Sequence, residues 1–278
     1  MKYKVCDWGL LLEKNENFNA SQILDCGQIF RYKKDGDAFV VYETDKMLKI
    51  IEEEDCVKII TSHPTRHAKY LDLDTDYGAI ISRIKGFSNV LGRACEFGKG
   101  IRILKQDLFE MIISFIISAN NNIPKIKKSI EAVCARFGTN MGDYYAFPTL
   151  NQLENATEQD FISCGLGYRA GQMVKAIKQL KTLDFNHLKS MPTKEARREL
   201  INLSGVGPKV ADCVLLFGVG AKDVFPTDVW IKKVYKEDMG GKLEDASKIS
   251  DFLVSQFGEL SGYAQQYLFY YKRSGVEI

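Results

Sequence analysis

The stretch LSGVGPKVADC, residues Leu203 to Cys213, places a short glycine-rich turn between two segments whose apolar residues have helical spacing. Gly205 and Gly207 would let the backbone approach a ligand closely, and Pro208 suits the first turn of a helix. Free N–H groups at the start of that helix could bind an anion such as phosphate. The pattern predicts two helices joined by a hairpin. A plain corner between two helices with a glycine cap would carry the same glycines.

Lys209 follows this hairpin directly, in the first turn of the predicted second helix. A solvated lysine is the ordinary interpretation. However, the positive end of the helix dipole disfavours an ammonium group there, and burial would add to the effect. We therefore expect Lys209 to reach the neutral amine form, which is a nucleophile that can form a Schiff base.

Asp228 lies nineteen residues after Lys209, within FPTDVW (Phe225 to Trp230) at the start of another apolar-periodic segment. An aspartate at such a position is usually only a helix N-cap. Together, the amine and the carboxylate supply a nucleophile and a group that can stabilise positive charge.

Composition indicates an ordinary globular chain, with 278 residues, 45% hydrophobic residues and 27% charged residues. The longest apolar run, Met111 to Ile117, is interrupted by Ser114 and is far shorter than the ~20 residues of a membrane helix. The first residues lack a signal-peptide pattern, so we expect a cytoplasmic protein with no membrane partner. The net charge is only +2, but residues 101–209 hold 15 Lys or Arg against 10 Asp or Glu, which permits an anionic partner.

The seven cysteines include no CxxC pair, and none follows Cys213. This spacing favours neither disulfides nor zinc. A cluster held by four C-terminal cysteines is excluded, so we expect no iron–sulfur cofactor and no catalytic metal.

The hydrophobic pattern changes along the chain from β-type to helical. From about Ala20 to Ile60 the sequence predicts strands around an Asp35-Gly36 turn, and Trp8 to Leu12 would extend them to an antiparallel sheet of five or more strands. About eight short helices follow, punctuated by Gly and Pro. We therefore predict an α+β fold, with an N-terminal β-rich domain over residues 1–100 and a helical region over residues 101–278.

The pair GVGPK and PTDV resembles the helix-hairpin-helix DNA glycosylases, and the lysine resembles that of the members that also cut the strand. The branches with a C-terminal iron–sulfur cluster carry cysteines that are absent here, and the alkyladenine branch lacks the lysine. The 8-oxoguanine DNA glycosylases are similar from roughly residue 20 to residue 270. Eight blocks match in order: GQIFRY, KYLDLDTDY, GIRILKQD, SFIISANNNI, GLGYRA, LSGVGPKVADC, FPTDVW and GYAQQYLF.

This resemblance implies a bifunctional glycosylase that acts on double-stranded DNA containing 8-oxoguanine. Lys209 would attack C1′ of the damaged nucleotide and leave a Schiff base that breaks down by β-elimination. Asp228 would stabilise positive charge at C1′. The target carbon is inaccessible in a stacked duplex, so the base would have to be flipped out.

The resemblance also implies a base pocket. The carbonyl of Gly27 would accept a hydrogen bond from N7–H, which guanine lacks, and Gln265 would contact the Watson–Crick edge. Phe269 and Cys213 would sandwich the ring. Taken alone, Gly27 would be a turn residue, and Phe269 and Cys213 would be ordinary core residues.

Three residues match those that fill the space left in the duplex and contact the base opposite: Asn120, Tyr168 and Arg169. Lys125 departs from the family, because the animal and fungal enzymes have an arginine there that helps to recognise cytosine. A lysine cannot supply the same planar pair of donors, so we expect a looser preference for cytosine.

The hairpin would bind a DNA phosphate through backbone N–H groups of Gly205, Gly207 and Val210. Trp230 departs from the histidine usual near this phosphate in the animal enzyme, and an indole has one donor and no charge. The family can also hold a structural, non-catalytic cation on hairpin carbonyls, here those of Ile201, Leu203 and Val206.

Two alternatives stay open at this point. The first is a related glycosylase that acts mainly on another oxidised or ring-opened purine. The second is a non-catalytic DNA-binding module that uses the hairpin only to hold phosphate. We expect a monomer in either case.

Overall fold

The computed structural model describes residues 1–275, and the last three residues of the predicted helical region lie outside this range. The N-terminal part contains one antiparallel sheet of six strands in the order β1-β2-β6-β5-β4-β3. The strands are β1 (Tyr3–Cys6), β2 (Gly9–Glu13), β3 (Tyr32–Asp35), β4 (Ala38–Glu43), β5 (Lys46–Glu52) and β6 (Cys56–Ile60). The prediction of an antiparallel sheet with five or more strands is confirmed.

In β5 and β6, only one face of the sheet carries buried apolar residues. Leu48 and Ile50 of β5 and Val57 and Ile59 of β6 are buried, whereas the residues between them are not. This alternation follows from the two-residue period of a strand. The predicted turn joins β3 to β4, with Gly36 in the left-handed region at φ +60°.

Fifteen α-helices lie within residues 1–275, against about eight predicted. They are α1 (Ala20–Asp25), α2 (Pro64–Tyr70), α3 (Tyr77–Lys85), α4 (Asn89–Phe97), α5 (Leu108–Ser118), α6 (Ile123–Phe137), α7 (Leu150–Leu153), α8 (Glu158–Ser163), α9 (Arg169–Leu180), α10 (Phe185–Ser190), α11 (Thr193–Ile201), α12 (Pro208–Val214), α13 (Val229–Lys233), α14 (Ala246–Phe257) and α15 (Ser261–Arg273). Helices α12 and α13 continue into π-helical turns, and a short 3₁₀ turn precedes α15.

The strand prediction is wrong for Ala20–Asp25, which forms α1. The side chain of Asn19 caps this helix by accepting a hydrogen bond from the Gln22 backbone N–H at 2.9 Å. Ala20, Ile23 and Leu24 are buried, and their spacing of three and four residues is that of one helix face.

Helix α15 also escaped prediction. Its buried residues lie all around the helix, because α4 and α13 pack against it. A helix buried on all sides lacks the apolar stripe on which the prediction depended. No helix in residues 1–275 is both long and apolar enough to cross a membrane.

Helix α5 is buried along nearly its whole length, and α12 packs against it. Two buried apolar clusters fill the protein, one under the sheet and one among the helices. The domain boundary near residue 100 stays a prediction.

Candidate active site

The predicted hairpin connects α11 to α12. Gly207 is the N-cap of α12 and Pro208 is its first residue, while Gly205 has a φ of +83°. Within residues 1–275, the backbone N–H groups of Gly205, Gly207 and Val210 have no acceptor. These are the three donors predicted for phosphate, and they are available at the positive end of α12.

Polar side chains brace this hairpin from two sides. Gln179 of α9 accepts a hydrogen bond from the Ser204 N–H at 2.8 Å and donates one to the Asn202 carbonyl at 2.9 Å. Arg197 of α11 contacts the buried carboxylate of Asp212 on α12, with Nε and Oδ1 2.6 Å apart. These contacts hold the start of α12 in place relative to α9 and α11.

One pocket collects the predicted catalytic and base-binding residues. Lys209 and Cys213 lie four residues apart on one face of α12, as do Gln265 and Phe269 on α15. All six predicted residues line it: Gly27, Lys209, Cys213, Asp228, Gln265 and Phe269.

Lys209 is half-buried, with its Nζ atom 5.5 Å from the centre of the Phe115 ring. Burial raises the pKa of the Cys213 thiol to about 11, although the charge and hydrogen bond of Lys209 lower it in part. The thiol is therefore neutral near pH 7 and can pack against a base as an apolar surface.

Asp228 is the N-cap of α13. Its Oδ1 atom accepts hydrogen bonds from the N–H groups of Trp230 and Ile231, both at 3.0 Å. Its second oxygen, Oδ2, accepts no hydrogen bond within residues 1–275. The ordinary interpretation as a cap is thus correct for one oxygen, and the cap orients the carboxylate on the pocket wall.

Gly27 lies on the pocket wall, with a φ of +82°. A Cβ atom built at this position would lie only 2.9 Å from Cε1 of Phe269. Within residues 1–275, the Gly27 carbonyl accepts no hydrogen bond, which leaves it free to contact a donor on a bound base.

Sequence analysis missed five residues that also line the pocket: Cys26, Phe115, Phe217, Pro226 and Gln266. Phe115 and Phe217 stack with ring centres 5.6 Å apart. Both lie in apolar runs, where nothing in the sequence separates a pocket residue from a core residue. Gln266 could have been found, because the sequence shows a second glutamine directly beside the predicted site residue Gln265.

Two protein-family models match consecutive parts of the chain. The 8-oxoguanine DNA glycosylase N-terminal domain matches residues 10–112, and the HhH-GPD superfamily base excision DNA repair protein matches residues 113–256. The chain belongs to the 8-oxoguanine DNA glycosylase family.

Similarity to known proteins supports this membership. A probable N-glycosylase/DNA lyase of Methanothermobacter thermautotrophicus is 32% identical over 212 residues, which are 67% of this chain and 68% of that protein. The N-glycosylase/DNA lyase OGG1 of Arabidopsis thaliana is 29% identical over 274 residues, 87% of this chain and 74% of that protein. The Clostridium acetobutylicum 8-oxoguanine glycosylase/lyase, solved with double-stranded DNA containing cytosine opposite 8-oxoguanine, has a TM-score of 0.93 and 36% identity, and covers 99% of this chain and 98% of that one.

In this glycosylase, Arg169 is the first residue of α9. Its side chain is 4% exposed, and its guanidinium donates hydrogen bonds to the carbonyls of Ala119 at 2.7 Å and Asn120 at 2.8 Å. The guanidinium therefore ties the loop before α6 to the start of α9. These bonds position Asn120, and contact of Arg169 with an opposite base stays a prediction.

The other residues predicted to contact the opposite base are exposed. Tyr168 is 65% exposed, with the Arg169 guanidinium 4.4 Å from its ring centre. Asn120 is exposed in the left-handed region at φ +48°. Lys125, also exposed, lies in the first turn of α6. Arg169 holds Asn120 and Tyr168 together, whereas contacts of these residues with DNA stay predictions.

Trp230 is half-exposed in the first turn of α13, and Nζ of Lys233 lies 5.0 Å from its ring centre. The lysine brings to this place a positive charge that the indole lacks. At the hairpin, the Leu203 carbonyl accepts the Val206 N–H at 3.1 Å. A carbonyl has two lone pairs, so this bond leaves one for a cation, and the structural cation stays a prediction.

Proposed function

We propose that the protein is a bifunctional DNA glycosylase that flips 8-oxoguanine out of duplex DNA, excises it and then cleaves the strand. One observation carries this proposal: the Lys209 amine and the Asp228 carboxylate line the same pocket as Gly27, Gln265 and Phe269. A nucleophile beside a purine-binding surface is the arrangement that base excision requires.

In the proposed reaction, the neutral Lys209 amine attacks C1′, and the bond between C1′ and the base breaks. The base leaves with the bonding electrons and takes up a proton. The amine nitrogen, still bound to C1′, loses a proton, and its lone pair forms the C=N bond of the Schiff base as the C1′–O4′ bond breaks and O4′ takes up a proton. Removal of a C2′ proton from this Schiff base then expels the 3′ phosphate. The Asp228 carboxylate stabilises the positive charge that develops at C1′, and the helix cap holds this carboxylate in a fixed orientation.

We propose that the hairpin amides of Gly205, Gly207 and Val210 hold a phosphate of the damaged strand. Asn120 and Tyr168 would occupy the space left by the flipped nucleotide. Lys125 would face the opposite base, with a looser preference for cytosine than an arginine gives. We expect the protein to act as a cytoplasmic monomer without a catalytic metal.

Borohydride trapping tests the proposal. The protein is incubated with a duplex containing 8-oxoguanine, and the reduced covalent adduct is resolved by denaturing electrophoresis. We expect an adduct with the unmutated protein and none with Lys209→Gln. Lys222→Gln is the matched control, because this lysine lies outside the pocket and should leave trapping intact. A protein that binds the duplex but never forms an adduct would be a DNA-binding module only.

A ring-opened purine is the alternative substrate, because the free Gly27 carbonyl could also accept a hydrogen bond from its formamide N–H. Excision rates for 8-oxoguanine and for a formamidopyrimidine in the same duplex decide which is the main substrate. A higher kcat/KM for the ring-opened base would reverse our assignment.

A further inference from the structure

The base pocket contains two consecutive buried glutamines on α15. Gln265 is 4% exposed and Gln266 is 3% exposed, and both line the pocket. Gln265 donates a hydrogen bond from Nε2 to the Pro226 carbonyl at 3.1 Å, and its Oε1 accepts one from Nε2 of Gln266 at 2.7 Å. The Oε1 atom of Gln266 is buried and has no partner within residues 1–275.

The Pro226 carbonyl fixes the orientation of both amides. A carbonyl can only accept, so Gln265 must turn its nitrogen toward Pro226 and its oxygen toward Gln266. Gln266 must then turn its own nitrogen toward that oxygen. This order leaves Oε1 of Gln266 as the free acceptor at the end of this series of hydrogen bonds.

The free end matters because an unsatisfied buried acceptor is unfavourable, and a ligand that supplies a donor removes the penalty. Gln265 Oε1 also keeps a second lone pair. The two acceptors, Oε1 of Gln265 and Oε1 of Gln266, therefore favour a base with two adjacent donors. The Watson–Crick edge of a guanine-type base carries N1–H beside a 2-amino group, whereas that of an adenine-type base has an acceptor at N1 and no donor at C2.

We propose that Gln266 is a specificity-determining residue, whose Oε1 accepts a hydrogen bond from the 2-amino group of the bound base while its Nε2 holds Gln265 in the orientation that accepts N1–H. This inference rests on the proposed function.

The test compares two lesions that differ by one group. 8-Oxohypoxanthine keeps N1–H and N7–H but lacks the 2-amino group of 8-oxoguanine. For the unmutated protein, we expect kcat/KM for excision of 8-oxoguanine to exceed that for 8-oxohypoxanthine by about tenfold, which corresponds to about one hydrogen bond. In Gln266→Leu, which keeps the bulk and removes the amide, the ratio should fall to within about twofold. Gln256→Leu, at an exposed glutamine of α14, should keep the ratio of the unmutated protein.

A ratio in Gln266→Leu that stays near tenfold overturns the proposal, even if both rates fall, because a purely structural defect affects the two lesions equally. If Gln266→Leu excises neither lesion, binding replaces excision as the measurement. The ratio of affinities for the two duplexes is then compared between Lys209→Gln and the double variant Lys209→Gln with Gln266→Leu. If the unmutated protein excises neither base, the proposed function fails, and these binding ratios still decide the role of Gln266.

Discussion

Substituting Gly27 by alanine should damage excision more than it damages the fold. The position has a φ of +82°, a region that disfavours residues with a Cβ atom. The backbone alone should lose about 1–2 kcal/mol of unfolding free energy, which lowers Tm by about 2–8 °C. The new Cβ would also lie 2.9 Å from Cε1 of Phe269, where ordinary contacts begin at 3.4 Å.

The Phe269 ring must therefore move by about 0.5 Å, the difference between these two distances. Because a misplacement of about 1 Å can lower a rate by about 100-fold, this shift should lower single-turnover excision of 8-oxoguanine on the order of tenfold. The assay mixes excess enzyme with labelled duplex and follows base release with time.

Gly36→Ala is the matched control. Gly36 has a φ of +60° in the turn between β3 and β4, and a Cβ atom there would have no neighbour within 4 Å. It should lose similar stability and keep full excision. If Gly27→Ala excised 8-oxoguanine at the unmutated rate, the assignment of Gly27 and Phe269 to the base pocket would be refuted. An equal loss in both variants would trace the defect to stability.

Three further predictions concern the thiol, the buried arginine and the opposite base. Burial raises the pKa of Cys213 from 9.0 to about 11. Mass spectrometry should therefore find that Cys213 is alkylated more slowly than the half-buried Cys6 at pH 7, and that its alkylation becomes faster as the pH approaches 11. The stability that the neutral thiol supplies is present below pH 9 and is lost as the pH rises through about 11. Arg169→Met leaves the carbonyls that it binds without donors, so we expect a loss of about 1–3 kcal/mol in chemical denaturation and an equal fall in excision for every opposite base; a fall confined to cytosine would show direct base contact. Lys125→Arg should raise the ratio of excision opposite cytosine to excision opposite thymine, and a strict cytosine requirement in the unmutated protein would contradict the expected looseness.

The contacts of Arg169 show what a motif match does not predict. The block GLGYRA placed Tyr168 and Arg169 together on the DNA-facing surface, and Tyr168 is indeed exposed. Nothing in the block indicates that the guanidinium is buried against the carbonyl of Ala119, fifty residues earlier in the chain. A contact between distant segments depends on how the helices pack, which local sequence does not encode.

The sequence by itself determined the parts of the site that are contiguous. The hairpin, its free amides and the placing of Lys209 and Cys213 on one helix face follow from short-range rules, because glycine, proline and a 3.6-residue period act within a few residues. The α+β class followed for the same reason. Only the tertiary structure decided that Gly27 lies against Phe269, that Phe115 lies under Lys209, and that Gln266 orients Gln265. Those relations join residues far apart in the chain or set the direction of a side-chain bond, and packing of the whole core selects them.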